Sequence, residues 1–459
     1  MQEINLQLFR MNKKKYLIFF CILILFSSCS FDNRSGIWKG DEDEKRKIAE
    51  LEKEQEAEAN TTKLYSSETQ YTKERNISKK IILSKPKTNQ SWTMAGLNHQ
   101  NYLGNLYLTG INNKFLKKRI GKNKFSLSKN TNSPLTHKNS IIFSDDRGTV
   151  YKIGYTGKLK WKQNIYKKIY KKIYKNLTIS IYKNKVYIAD NIGFIYSLDF
   201  DNGNLSWIKN HGIPLKSKIK IFDGMIYLIN QDNRLLSLSI KDGSVIWNVR
   251  SISSFIKSQN PLSLALSKKG YLIAVTSSGD LLKINSKNGN LLWSFNSLGS
   301  TLAHASDFFK SSDIVIANES IIFSTEGSIF SYDLTNGYIN WQNDVSSVAT
   351  PIIDKENIFI VTENGYFAIL SSSTGKIISS TNILKILKKK KQNTRIVGFV
   401  MGSGKIYTAT QNGYIIVSSA TTGKVENYIK VASSITSSPI INDGKLFLYT
   451  NSSNIIGFN

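Results

Sequence analysis

The stretch Gly327–Trp341, GSIFSYDLTNGYINW, decides the fold. A glycine opens a run in which β-branched and aromatic residues alternate with small polar ones. Asp333 ends that run, Asn336-Gly337 turns the chain, and a second short run reaches Trp341. Alternation with a period of two marks a strand with one covered face. Asn-Gly or Asp-Gly between two such runs marks a hairpin, because the turn needs φ > 0 and glycine has no Cβ to clash there.

The same unit recurs along the chain. Its turn glycines are Gly157, Gly203, Gly243, Gly289, Gly337, Gly375 and Gly423, spaced 38 to 48 residues apart and each preceded by Thr, Asn or Asp. Four residues after the glycine stands Trp161, Trp207, Trp247, Trp293 or Trp341, with Ser379 and Asn427 at that place in the last two units. Nine or ten residues before it lies another turn residue, glycine everywhere except Asn233, which tolerates left-handed geometry better than other side chains do. Short strands at this spacing, with no helical pattern between them, predict a β-propeller in which each unit is one blade.

Two earlier strands precede each turn unit, as in KVYIADNIG, YLIAVTSSG and KIYTATQNG. Such runs number eight, whereas complete turn units number seven, and the last run ends at IIGFN without a fourth strand. KFLKKRIG, Lys114–Gly121, precedes the first blade and is placed to supply that strand, with Phe115 in the role of Trp. Closing the ring this way removes two raw sheet edges. The expectation is an all-β, eight-bladed propeller of four-stranded antiparallel blades over residues 91–459, closed by an N-terminal strand that completes the last blade. One large aromatic per blade at the same place fills the wedge between neighbouring blades; it is not a ligand cage.

The beginning of the chain reads differently. From Met11, the expected start of translation, MNKKKYLIFFCILILFSSCS has a basic n-region, an apolar stretch too short to span a bilayer, and small residues before Cys29. Residues 1–28 are therefore expected to be a signal peptide. Cys21 would leave with it, so Cys29 would have no cysteine to pair with, and lipidation is the best account of it. Residues 29–90 are expected to be a charged, flexible tether. The Asp41–Ala59 run is helix-forming but carries only Ile48 and Leu51 as large apolar residues, and Thr61–Lys80 is polar and unpatterned. About sixty flexible residues would reach roughly 40 to 45 Å.

Catalytic patterns are scarce. His99, His137, His211 and His304 are scattered, and no HExxH, CxxC, GxSxG or phosphate-cradling glycine loop occurs, so no catalytic residue, metal site or cofactor is expected. Asp199 and Asp333 are read as turn caps. The net charge of +29 is spread over the chain and lacks the interleaved aromatic and basic patch of a nucleic-acid surface. Two basic insertions, Ile165–Asn176 and Leu387–Asn393, could meet acidic headgroups or an acidic partner; compositional drift is the plainer reading.

The repeat (Asp/Ser/Asn)-x-x-(Thr/Asn/Asp)-Gly-x-x-x-Trp resembles the PQQ-type propeller repeat. Together with the signal, the tether, SWTMAGLNHQN at Ser91–Asn101 and eight blades, the chain resembles the BamB family, lipoprotein subunits of the outer-membrane β-barrel assembly machine. The resemblance covers about Ser91 to Asn459. It implies a non-enzymatic scaffold on the periplasmic face of the outer membrane, anchored by lipid on Cys29, with no small-molecule substrate and no nucleic acid. It also implies that loops joining two blades hold a periplasmic POTRA domain of the barrel subunit. Those loops fall around Ser253–Pro261, where Phe255, Ile256 and Lys257 match the family pattern, and around Gly299–Asp313, where Ser306-Asp307 matches and Phe309 replaces a second acidic residue. Phe255, Phe308 and Phe309 are apolar residues in polar loops, open to burial by a partner or by their own blades. Two other readings share the repeat: a PQQ-dependent quinoprotein dehydrogenase, which resembles this chain in rhythm only, and a lipid-anchored adaptor of another envelope complex.

Overall fold

The computed structural model describes residues 42–60, 71–123, 132–250, 261–296, 310–325, 327–347 and 349–459. It divides into two compact units, residues 1–54 with 165–173, and residues 55–164 with 174–459. Among the described residues no helix is long and apolar enough to cross a membrane.

The larger unit holds eight four-stranded antiparallel sheets, each built from consecutive strands except the last. In blade one the strands are Leu135–His137, Ser140–Ser144, Val150–Gly154 and Leu159–Gln163, from the inner strand to the outer one. Blade eight takes three strands from the end of the sequence, Ile440–Asn442, Lys445–Tyr449 and Asn454–Phe458, and its outer strand from Lys114–Arg119. Its register, with Lys117 opposite Ile456 and Arg119 opposite Asn454, is the closure the sequence predicts. The core lies between blades: one apolar cluster joins Ile273, Val275 and Leu281 of blade four to Ile314, Ile321 and Phe323 of the fifth.

Tryptophan locks successive blades together. The Trp161 indole N–H donates to Phe200 O (3.0 Å), that of Trp207 to Ile240 O (3.1 Å), that of Trp247 to Ser286 O (2.8 Å), and that of Trp341 to Ser372 O (2.8 Å). Each acceptor lies beside the third-to-fourth strand turn of the next blade. The turn glycine has two reasons to be glycine. Gly203 has φ +75°, and a Cβ there would sit 2.6 Å from Trp161 Cδ2. The turn itself is wider than a two-residue Asn-Gly hairpin: Gly203 N–H donates to Asp199 O (2.9 Å), and of the pair only the glycine has positive φ. Asp199 and Asp333 cap their turns, Asp333 Oδ1 accepting from the N–H groups of Thr335 (2.7 Å) and Asn336 (3.0 Å). Asn233 holds φ +57°.

Two sequence expectations need correction. Phe115 does not take the place of Trp. A bulge between Lys114 and Leu116 moves the register by one, so Leu116 pairs with Gly457, as Trp247 pairs with Ser237. Phe115 instead packs edge-on against Phe447 (5.8 Å). Residues 71–90, expected to belong to a flexible tether, are instead held against the blades. Ile81 is buried, Tyr71 packs against Tyr366 (5.8 Å), and the Ser84 N–H and hydroxyl donate to Asp354 (2.8 and 2.6 Å). Composition misled here because this stretch makes backbone bonds to a sheet and has no need of an apolar pattern of its own.

The charged run forms the helix Glu42–Asn60, whose residues 42–54 belong to the smaller unit, and Ile48 and Leu51 are both buried. Insertion residues Lys168–Lys172 form a 3₁₀ turn. The Tyr170 hydroxyl donates to Glu44 (2.7 Å), and Lys167 lies 3.6 Å from the same carboxylate. Within this unit the basic insertion thus meets an acidic residue of its own chain.

Candidate functional site

In a four-stranded antiparallel blade the outer strand ends where the inner strand begins. Every blade-to-blade crossover therefore emerges on the same side of the ring. Blade three ends its outer strand at Arg250 and blade four begins its inner strand at Ser263; blade four ends at Asn296 and blade five begins at Val315. The two crossovers thus flank blade four at one end. Phe255, Ile256 and Lys257 belong to the first and Asp307 to the second, and these residues, like Cys29, lie outside the described residues.

The described stems of these crossovers are firmly held. Leu262 N–H donates to Lys216 O (2.9 Å), and Ile314 N–H to Ser263 Oγ (2.7 Å). Serines just ahead of the inner strands receive an N–H from the second strand of their own blade, Ser217 from Ile229 (2.8 Å) and Ser312 from Ser324 (2.9 Å). Asp313 ties three crossovers together: its carboxylate lies 2.6 Å from Lys218 Nζ, ahead of blade three, and accepts from Thr350 Oγ1 (2.8 Å), ahead of blade six. Burial alone would raise the Asp313 carboxyl, but the Lys218 charge and hydrogen bond, the Thr350 hydrogen bond and the Lys220 charge together outweigh it and hold the group below its ordinary range. In the sequence Asp313 stands at the edge of a loop with no role assigned to it, and Ser-Ser-Asp before an apolar run is the available signal.

Residues 84–109 meet the inner region of all eight blades. Ser84 meets Asp354 in blade six, and Asn105 Oδ1 accepts from Gly404 N–H (3.0 Å) in blade seven. Asp443 N–H of blade eight donates to Asn89 O (2.7 Å), and Trp92 exchanges backbone bonds with Thr136 of blade one (2.8 and 3.0 Å). Ile181, Leu266 and Ile316, from blades two, four and five, donate to the carbonyls of Thr93, His99 and Gln100 (2.7, 2.8 and 3.0 Å). Blade three contributes Lys220, whose ammonium donates to Ala95 O, Asn98 O and Asn101 Oδ1 (2.5, 2.9 and 2.5 Å). SWTMAGLNHQN is therefore the segment that meets the inner strands of blades one to five.

Burial depresses two groups here. Lys220 is pulled to about 7, with Asp313 acting in the opposite direction. His99 is pulled to about 4 by burial, then by Lys220 and Lys268, and its ring lies 4.9 Å from Phe222. Lys220 has an acceptor for each of its three protons, which gives it a positioning role. Among the described residues no three His, Cys, Asp or Glu side chains gather to hold a metal ion.

A ring of eight four-stranded blades locked by Trp and glycine at successive seams defines a PQQ-type repeat propeller. Comparison with known proteins narrows that class. The family described as outer membrane protein assembly factor BamB matches residues 146–381, just over half of the chain, and the chain belongs to that family. Outer membrane protein assembly factor BamB of Yersinia pestis is 21% identical over 256 residues, covering 53% of this chain and 64% of the relative. That of Moranella endobia is 21% identical over 232 residues, covering 45% and 58%. The chain thus spans less than two thirds of either relative's length. Among solved structures, BamB from Moraxella catarrhalis is similar with a TM-score of 0.60 and 12% identity, over 76% of this chain and 99% of that one. Quinohemoprotein alcohol dehydrogenase from Comamonas testosteroni gives 0.59 and 10%, over 78% and 76%. At these identities the structural likenesses speak to the fold alone.

Proposed function

We propose that this protein is a non-enzymatic, lipid-anchored scaffold of the outer-membrane β-barrel assembly complex, and that its crossovers flanking blade four hold a periplasmic POTRA domain of the barrel subunit. Family membership supports the complex. The observation that carries the site is the exit of both crossovers at one end of blade four, on stems tied by Ser263, Ser312 and Asp313. Fixed stems lower the ordering cost when a partner binds. Phe255 and Ile256 supply apolar anchors, Lys257 and Asp307 charges at their rim, and lipid on Cys29 keeps the propeller at the periplasmic face of the outer membrane.

The test is mild-detergent purification of the tagged protein from its native envelope, read by mass spectrometry, beside a Phe255→Asp, Asp307→Lys double variant. Enrichment of the barrel subunit, lost in a variant with an unchanged melting temperature, is the expected result. Absence of that subunit while other envelope complexes survive, or recovery of a different export complex, overturns the reading.

A further inference from the structure

Asn101, 1% exposed, reaches three blades with one side chain. Its Nδ2 donates to Leu264 O (3.3 Å) in the inner strand Ser263–Leu266 of blade four. It also donates to Ile314 O (2.7 Å), one residue ahead of the inner strand Val315–Ala317 of blade five. Its Oδ1 accepts from the Lys220 ammonium (2.5 Å), in the inner strand Lys220–Phe222 of blade three. These are the blades joined by the two crossovers that flank blade four, residues 251–262 and 297–314. Ser263, the first residue beyond one crossover, accepts from the N–H of Ile314, the last residue of the other (2.7 Å). Ser263 and Asn101 therefore hold Ile314 at its N–H and at its carbonyl, and tie the ends of the two crossovers to each other.

The segment around Asn101 is built to present it. Asn98 Oδ1 accepts from the N–H groups of Gln100 and Tyr102 (3.1 Å each), and its Nδ2 donates to Tyr102 O (2.6 Å), which closes a turn over 98–102. Asn101 holds φ +57°, a conformation that asparagine enters more readily than most side chains. Gly96 has φ +71°, and a Cβ there would collide with Asn101 Oδ1. The position also needs a carboxamide: two N–H groups meet two carbonyls, and the oxygen meets an ammonium. A carboxylate has no donor to offer, and an aliphatic side chain has neither donor nor acceptor. Asn105 gives the comparison. It is buried in the same segment, but its bonds go to Ser84 O (2.8 Å) and Gly404 N–H of blade seven (3.0 Å).

We propose that Asn101 is a positioning residue for partner binding: by pinning the ends of both crossovers to one side chain, it fixes their separation before a partner arrives. Stems that are already ordered leave less to immobilise on association, so the gain is in affinity. The proposal rests on the reading of these crossovers as the hold on a POTRA domain. It gives Gly96, Asn98 and Asn101 of SWTMAGLNHQN a part in that hold without contact with the partner.

The probe is the soluble POTRA region of the barrel subunit, titrated by biolayer interferometry against the full chain in detergent micelles, below the lowest melting temperature of the set. Asn101→Asp keeps the shape and removes both donors. Asn105→Asp controls for destabilisation of the same segment, and Ser263→Ala is a milder change that frees Ile314 N–H. Expected are at least about tenfold weaker binding for Asn101→Asp, a smaller loss for Ser263→Ala and unchanged affinity for Asn105→Asp. Amide exchange without the partner should quicken at 262–266 and 312–317 in Asn101→Asp and keep wild-type rates in blades seven and eight. Unchanged affinity of Asn101→Asp, an equal loss in Asn105→Asp, or exchange that quickens evenly around the ring overturns the proposal and leaves the assembly-complex reading standing. Should Asn101→Asp not fold, unchanged affinity of Ser263→Ala overturns it. A wild-type chain that binds no POTRA region overturns that reading, and this proposal with it.

Discussion

Leu116 of the closing strand packs beneath Gly157 of the first blade, where a Cβ would lie 3.2 Å from Leu116 Cδ1. The contact repeats, across the join of the two chain ends, the one that Trp161 makes with Gly203 and Trp207 with Gly243. The seam between last and first blade therefore uses the same lock as the others, with a smaller key. Blade seven needs none: Asn427 stands at its lock position, and the next blade takes its outer strand from elsewhere in the chain, so it has no turn glycine there.

If Leu116 is the key, Leu116→Ala lowers unfolding stability by about 2–4 kcal/mol through a cavity at the closure seam. Phe115→Ala, at a half-buried position, costs less. Urea denaturation followed by tryptophan fluorescence ranks the two; the reverse order would return the lock to Phe115.

Trp247 and Gly289 are coupled across one seam, since a Cβ on Gly289 would lie 2.9 Å from Trp247 Cδ2 and its φ is +78°. Gly289→Ala is expected to destabilise the protein in both backgrounds through φ, and by at least about 1 kcal/mol less when Trp247 is already Ala. A double-mutant cycle in guanidinium measures that difference, and strict additivity would show that the two residues do not touch.

His99 makes stability depend on pH. Its folded value, near 4, lies below the ordinary 6.5, so the unfolded chain binds the proton first as pH falls. The contribution is fully present above about 6.5 and is lost progressively down to about 4, amounting to roughly 1–3 kcal/mol. Chemical denaturation at pH 7, 5.5 and 4 should show a shallower decline in a His99→Phe variant; an unchanged slope rejects this origin.

Removing the Lys220 ammonium orphans three acceptors in the 95–101 segment. Lys220→Met is expected to cost about 2–4 kcal/mol and to speed amide exchange in that segment before the outer strands respond. Faster exchange everywhere at once would indicate that the segment has no separate anchor there.

Much of this was legible beforehand because a propeller repeats one local solution. Gly-strand-(Asp/Asn/Ser)-turn-Gly-strand-Trp encodes a hairpin by alternation and turn chemistry, and repetition counts the blades. The Phe115 misplacement came from a bulge, which shifts register by one without changing the residue types of the strand. Residues Tyr71–Ser84 resemble a tether in sequence because part of what holds them, at Arg75 and Ser78, is backbone of a sheet, which leaves no periodic mark.

The sequence by itself determined the blade, the number of blades and the origin of the closing strand, since hairpins and tryptophan locks are written in residues close together along the chain. Only the tertiary structure decided that residues 84–109 engage all eight inner strands, that Asp313 joins three crossovers, and that residues 75–78 pair with the outer strand of blade six. Each of those joins groups far apart in sequence, often through backbone N–H and carbonyl groups that every residue carries, and it is the closing of the ring that brings them together.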